Sequence, residues 1–160
     1  MTNPLAINRK WLVKVSTVGL AICALAVACG QAKAEDVNRI GVHIGSVHFP
    51  AKDYNNFNPG VYVYHNGWTA GTYYNSERHQ SFYAGYTFEY APSFASGMVR
   101  LGATVGAITG YERAKLLPMV VPSVSVSIPG GLGSAVRIAV IPPLERNGSA
   151  VLHLALEARF

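Results

Sequence analysis

From residue 38 onward the chain alternates between apolar and small or polar positions. The C-terminal "VLHLALEARF" shows it best: Leu152, Leu154, Leu156, Ala158 and Phe160 share one face, and His153, Ala155, Glu157 and Arg159 share the other. Successive side chains of a strand point to opposite faces, so a period of two reads as strand. The same alternation recurs in Ile40–Ile44, Phe82–Tyr90, Val99–Ala107, Val124–Ile128 and Val136–Val140. Turn residues break it, among them Asn66-Gly67, a hairpin signal, and the Pro129–Gly133 run. The pattern predicts eight strands, roughly 38–49, 59–65, 67–75, 80–90, 98–108, 117–128, 134–141 and 149–160. Helical apolar periods are absent after residue 34.

Most of these strands approach the length of a tilted membrane strand, and eight is an even number, as single-chain outer-membrane barrels require. The final aromatic, Phe160, fits the same class and marks the chain for outer-membrane assembly machinery. The expected fold is therefore all-β: an eight-stranded antiparallel transmembrane β-barrel. A soluble periplasmic or secreted barrel is the alternative, but its second face should be polar and long. Here that face is mostly Gly, Ser and Ala. A barrel that starts and ends in the periplasm places 50–58, 75–80, 109–116 and 142–148 outside, and the turns 65–67, 91–97 and 129–133 inside. Of the inward positions, Arg39, Glu89, Arg100, Arg137, Glu157 and Arg159 fall low and predict a paired charged floor. Gly45, Tyr73, Tyr83, Gly85, Gly106, Ala139 and Val151 fall high and predict either an apolar cavity able to take an acyl chain or a space that tyrosines and methionine fill completely.

Composition changes the picture at the N-terminus. Half of the 160 residues are hydrophobic and 13% are charged, about half the usual charged fraction. Arg9, Lys10 and Lys14 precede a short apolar run, Val15–Ala28, and Ala32-Lys33-Ala34 is an A-x-A site. This predicts a secretory signal peptide over 1–34 and one barrel domain over 35–160. A lipoprotein signal ending at Cys29 is the competing reading. Cleavage after Ala34 would remove both cysteines and four of the 13 basic residues. Nine basic and eight acidic residues then remain, a formal +1. The basic pI belongs to the leader and gives no argument for nucleic-acid binding.

The five histidines (His43, His48, His65, His79, His153) show no short ligand spacing, so no metal and no cofactor is expected. There is no phosphate loop and no G-x-S-x-G elbow. The predicted topology gathers His48, Asn75, Ser76, Glu77 and His79 at the outer rim. A hydroxyl needs a base within hydrogen-bond reach and a group that orients that base. Ser76 with His48 is the most sensible pair. Strict alternation from Ile40 turns His43 inward and His48 toward lipid, and a bulge near Gly45-Ser46 would turn His48 inward as well.

From Gly67 to Phe160 the chain resembles the PagP family of outer-membrane lipid A palmitoyltransferases. The resemblance rests on "TYYNSERHQSFYAGYTFE", "VRLGATVGAITGYE", "LLPMVVPSVSV", "VIPP" and the closing "VLHLALEARF". It implies a monomeric barrel whose partners are phospholipid and lipid A. It also implies catalytic His48 (with His43 as alternative base) and Ser76, with Asn75 where the family has an aspartate. Pro118 and Pro122 would mark a lateral lipid gate, since proline cannot donate to a ladder. The implied reaction moves a phospholipid acyl chain to lipid A or a similar acceptor. A non-catalytic barrel (structural, adhesive or lipid-binding) and a lipid deacylase are the other readings.

Overall fold

In the computed structural model, residues 37–131, 133–143 and 148–160 are described. The predicted signal peptide and the middle of the last outer loop lie outside them. Eight strands run in sequence: β1 (Arg39–Phe49), β2 (Phe57–His65), β3 (Trp68–Tyr74), β4 (Gln80–Tyr90), β5 (Val99–Ile108), β6 (Leu117–Ser127), β7 (Ala135–Ile141) and β8 (Ala150–Arg159). Each pairs antiparallel with its neighbours, and β1 pairs with β8 to close the barrel. Strand ends agree with the alternation to within two residues. A single 3-10 turn, Ser93–Ala95, lies between β4 and β5. Among the described residues no helix is long and apolar enough to cross a membrane, which says nothing against crossing by strands. The fold is compatible with an outer-membrane protein.

The hairpin joining β2 to β3 follows from its sequence. Asn66 (φ 49°) and Gly67 (φ 86°) both take positive φ, as a two-residue type I′ turn demands. A Cβ on Gly67 would also strike the Tyr86 ring at 2.4 Å.

The barrel is inverted relative to a soluble core. Val42, Val63, Phe82, Phe88, Val126 and Leu154 face out and are exposed, while Arg39, Thr69, Thr87, Arg100, Arg137 and Glu157 are buried in the lumen. The lower lumen is the expected charged floor. Arg39 pairs with Glu89 at 2.6 Å, and Glu157 takes Arg100 at 2.6 Å and Arg137 at 3.1 Å. Tyr62 donates to Glu157 at 2.8 Å, and Arg39 lies 3.8 Å over the Tyr64 ring. Arg137 continues to Thr104 (3.3 Å), and Thr104, Thr87 and Thr69 are linked hydroxyl to hydroxyl. Arg159 is a correction: it is exposed at the end of β8 rather than inside the floor.

In the middle of the lumen the filled alternative holds: above the floor, among the described residues, stands a packed cluster of tyrosine and histidine rings. His43 contacts Tyr62, Tyr73, Tyr83 and His153 with ring centroids 4.9–5.8 Å apart. Its Nε2 hydrogen-bonds the Tyr83 hydroxyl and its Nδ1 the His153 Nε2, both at 2.9 Å. Alternation gives each side chain its face, but inward rings from several strands meet on the barrel axis and fill it. An eight-stranded barrel leaves just enough room for that.

Two departures from regular pairing shape the outer end. In β1 the register shifts between His43 and Gly45 against both neighbours: Ile44 is the extra residue of a bulge against β8, while on the other side β2 sets two residues, Asn58 and Pro59, opposite Ile44. A one-residue slip reverses the faces, and both His43 and His48 therefore point inward. The bulge sits one residue before its expected place. Between β6 and β7 the ladder runs only from Ser123↔Ala139 to Ser127↔Ala135. Leu117–Pro122 remain paired with β5 but have no β7 partner. Among the described residues the β6–β7 ladder is unzipped along the outer half of β6, the segment that carries Pro118 and Pro122.

Candidate functional site

The outer loops are tied to one another around the mouth. Asn55 N–H donates to Ser76 O at 2.9 Å, and its side chain donates to Asn75 O at 3.2 Å. Arg78 pairs with Asp53 at 3.0 Å. Glu77 accepts from the Glu112 N–H at 2.9 Å, which ties the second outer loop to the third. Ser149 donates to Pro50 O at 2.7 Å and joins the fourth to the first.

Within this ring lies a cavity of about 190 Å³. His48 and Ser46 on β1, Asn58 on β2 and Tyr73 on β3 line it, with Ser76 and Glu77 from the second loop. Tyr111 and Arg113 come from the third loop, Val151 and His153 from β8, and Leu117 and Ile141 from the two lips of the open β6–β7 wall. A cavity of about 150 Å³ holds a benzene-sized molecule, and drug-sized ligand pockets run to roughly 300–1,000 Å³. The space suits an ester and a few neighbouring atoms. A long acyl chain does not fit in it, and the ring cluster blocks further descent.

His48 is the most informative member. It is 5% exposed, and its Nδ1 lies 2.8 Å from the Asn56 side-chain oxygen. The Tyr54 ring stacks on it at 4.6 Å with a 32° tilt. Its Nε2 is buried and, among the described residues, has no hydrogen-bond partner. Buried polar atoms are satisfied in the great majority of cases, so an unsatisfied imidazole nitrogen lining a cavity points to a ligand or a reaction.

Ser76 lines the same cavity as His48. Asn75 does not, and its amide is spent on the loop. Its Oδ1 accepts from Glu77 N–H (2.9 Å) and His79 N–H (3.0 Å), and its Nδ2 donates to Ser81 Oγ (2.9 Å) and Gly110 O (2.6 Å). At 0% exposure it is a structural knot. His43 lies deeper, inside the ring cluster, and His79 is exposed outside the cavity. Pro118 and Pro122 stand on the open edge of β6.

Two residues carry no signal in the sequence, Tyr111 in the cavity lining and Asn56 behind His48. Asn56 and Tyr111 sit in loops, where no period exists to assign a direction. Tyr111 donates to or accepts from Tyr73 at 3.0 Å. Burial pushes its phenol above the ordinary tyrosine value, and Glu77 adds to this, against hydrogen bonds to Tyr73 and Ser76 that act the other way. Tyr111 is thus a neutral hydroxyl, able to donate, beside Ser76. His153 on β8 was readable as inward from alternation, but its place at the cavity depends on the height of the bulged β1 beside it. Among the described residues no cluster of three or more His, Cys, Asp or Glu could hold a metal. No protein-family model matches this chain, and no curated protein matches it in sequence.

Proposed function

We propose that this protein is an outer-membrane enzyme of PagP-like type, which transfers an acyl chain from a phospholipid to lipid A or a similar hydroxyl acceptor. The observation that carries the reading is the unpartnered Nε2 of His48, buried against a cavity that also receives Ser76 and opens beside an unzipped strand pair. His48 Nε2 takes the proton of the acceptor hydroxyl as its oxygen attacks the donor ester carbonyl. Ser76 and the neutral Tyr111 hydroxyl face the oxyanion and stabilise it by donation. Collapse breaks the bond to the lysophospholipid oxygen, which takes the proton back from His48. One ester forms as another breaks, and no oxidant or cofactor is needed.

The cavity's size puts the ester and headgroup in the mouth. The hydrocarbon tail stays in the membrane and reaches the site through the open β6–β7 wall, between Leu117 and Ile141. The apolar barrel exterior supports an outer-membrane location with lipids as partners, and the exposed C-terminal Phe160 supports recognition by barrel-assembly machinery. The packed lumen favours a second reading, a non-catalytic structural, adhesive or lipid-binding barrel. Expression in a bacterial host without its own transferase decides between them. Mass spectrometry of lipid A should show one added acyl chain, lost in His48→Ala. A lost chain would instead show a deacylase. An unchanged lipid A, with no turnover of phospholipid by the purified protein in micelles, would favour the non-catalytic barrel.

A further inference from the structure

We infer that Asn56 is the positioning residue of His48, holding its imidazole in the tautomer whose Nε2 is the free base. The inference rests on the reading of His48 as a proton acceptor, and it extends that reading to a residue outside the strands.

The arrangement begins in β1. The bulge at Ile44 turns Ser46 and His48 inward and brings the backbone of the first outer loop close to Gly45. Ser46 N–H donates to Asn56 O at 2.9 Å. A Cβ on Gly45 would lie 2.6 Å from the same Asn56 oxygen, closer than atoms tolerate. Glycine at 45 is therefore what allows the Asn56 backbone to dock on β1. From that anchor the Asn56 side chain reaches His48 Nδ1 at 2.8 Å. An amide oxygen only accepts, so Nδ1 must carry the proton and Nε2 the lone pair. The stacked Tyr54 ring restrains the imidazole from its face. Asn75 cannot substitute, because its four hydrogen bonds are already made within the loops.

An amide orients a histidine without adding charge. Around His48 the titratable and charged groups lining the cavity are Tyr73 on β3, Glu77 on the second loop, Tyr111 and Arg113 on the third and His153 on β8, with Tyr54 stacked from the first. None of them is hydrogen-bonded to the His48 ring, so the site depends on orientation by Asn56 rather than on a partner carboxylate.

The test is ¹⁵N NMR of the histidine rings of the full chain in detergent micelles, with kinetics alongside. Wild type should show His48 protonated at Nδ1. Asn56→Leu should lose that tautomer and lower kcat by about tenfold or more at unchanged KM. Asn56→Asp, whose carboxylate also accepts from Nδ1–H, should keep the tautomer and restore kcat. Gly45→Ala, with Asn56 intact, should reproduce the Leu spectrum. A wild-type His48 protonated at Nε2 would overturn the inference, as would Leu and Asp variants with the same tautomer and the same kcat. The wild-type spectrum decides even if a variant does not fold. Correct tautomers in a protein that moves no acyl group would sink the proposed function and leave this inference standing.

Discussion

The floor and the mouth of this lumen are built from similar polar residues and use them in opposite ways. In the floor each carboxylate meets an arginine at 2.6 Å, and Glu157 meets two arginines and a tyrosine. At the mouth two buried histidines, His48 and His153, border the cavity, and His48 keeps a ring nitrogen with no partner among the described residues. Pairing removes reactivity, since a carboxylate held by two guanidinium groups has nothing left to give a substrate. The contrast teaches where chemistry can occur in a narrow barrel: at the level where polar groups are oriented but not satisfied. Two guanidinium Nε–H groups, of Arg39 and Arg100, also lack protein partners. As donors on permanent cations they offer no base.

The largest test of this contrast is in the floor. Glu157→Leu strands Arg100 and Arg137 and should cost about 3–5 kcal/mol of stability, the usual penalty for breaking a buried pair. Urea unfolding in detergent measures it. A shift as large in His48→Ala would erase the distinction between the two levels. The mouth should answer in rate: His48→Ala should lower kcat/KM by about 10²–10⁴-fold with an unchanged unfolding midpoint. Ser76→Ala should follow at about 10²-fold if its hydroxyl meets the oxyanion.

Tyr111 gives a smaller effect with a definite sign. Its folded value lies above its unfolded one, so the unfolded phenol ionises first. Its contribution to stability is complete below about pH 10, the ordinary tyrosine value, and is lost as pH rises through the higher folded value. Tyr111→Phe should flatten that alkaline loss, which pH-dependent unfolding followed by circular dichroism would show. The smallest effect belongs to the wall. Restoring N–H groups with Pro118→Ala and Pro122→Ala should let β6 draw toward β7 and slow turnover of vesicle-bound phospholipid a few-fold. Turnover of a short-chain soluble ester should stay unchanged. Equal slowing of both would remove the wall from the mechanism.

Strands and closure were legible because a barrel with an apolar outer face writes its two faces directly as period two. The floor was legible for the same reason, and it failed only at Arg159, where the strand ends and lumen gives way to exposed rim. Whether the upper lumen is a slot or a filled cluster stayed undecided, because alternation cannot tell whether inward Tyr62, Tyr73, Tyr83, His43 and His153 leave space between them or close on one another. His48 depended on a bulge, and one inserted residue reverses every face beyond it. Asn56 and Tyr111 were invisible, since a loop fixes direction through tertiary hydrogen bonds that leave no period in sequence. Asn75, next to Ser76, drew attention for its neighbour, yet its burial and four bonds give it the task of holding the second loop to β4 and to the third loop.

The open stretch of β6 has a consequence for assembly. A closed barrel has no sheet edge, and this one carries a short edge where Leu117–Pro122 leave β7. An exposed edge is a template on which another chain can build a strand. A proline nitrogen fits an unbroken ladder only where it faces away from the paired neighbour. With β5 paired along the whole segment, Pro118 and Pro122 turn their nitrogens to the gap, and Val120 shares their parity. Two of the three residues that address the gap therefore bring no N–H. The edge presents too few donors to be copied by a neighbouring barrel or by another unfolded chain.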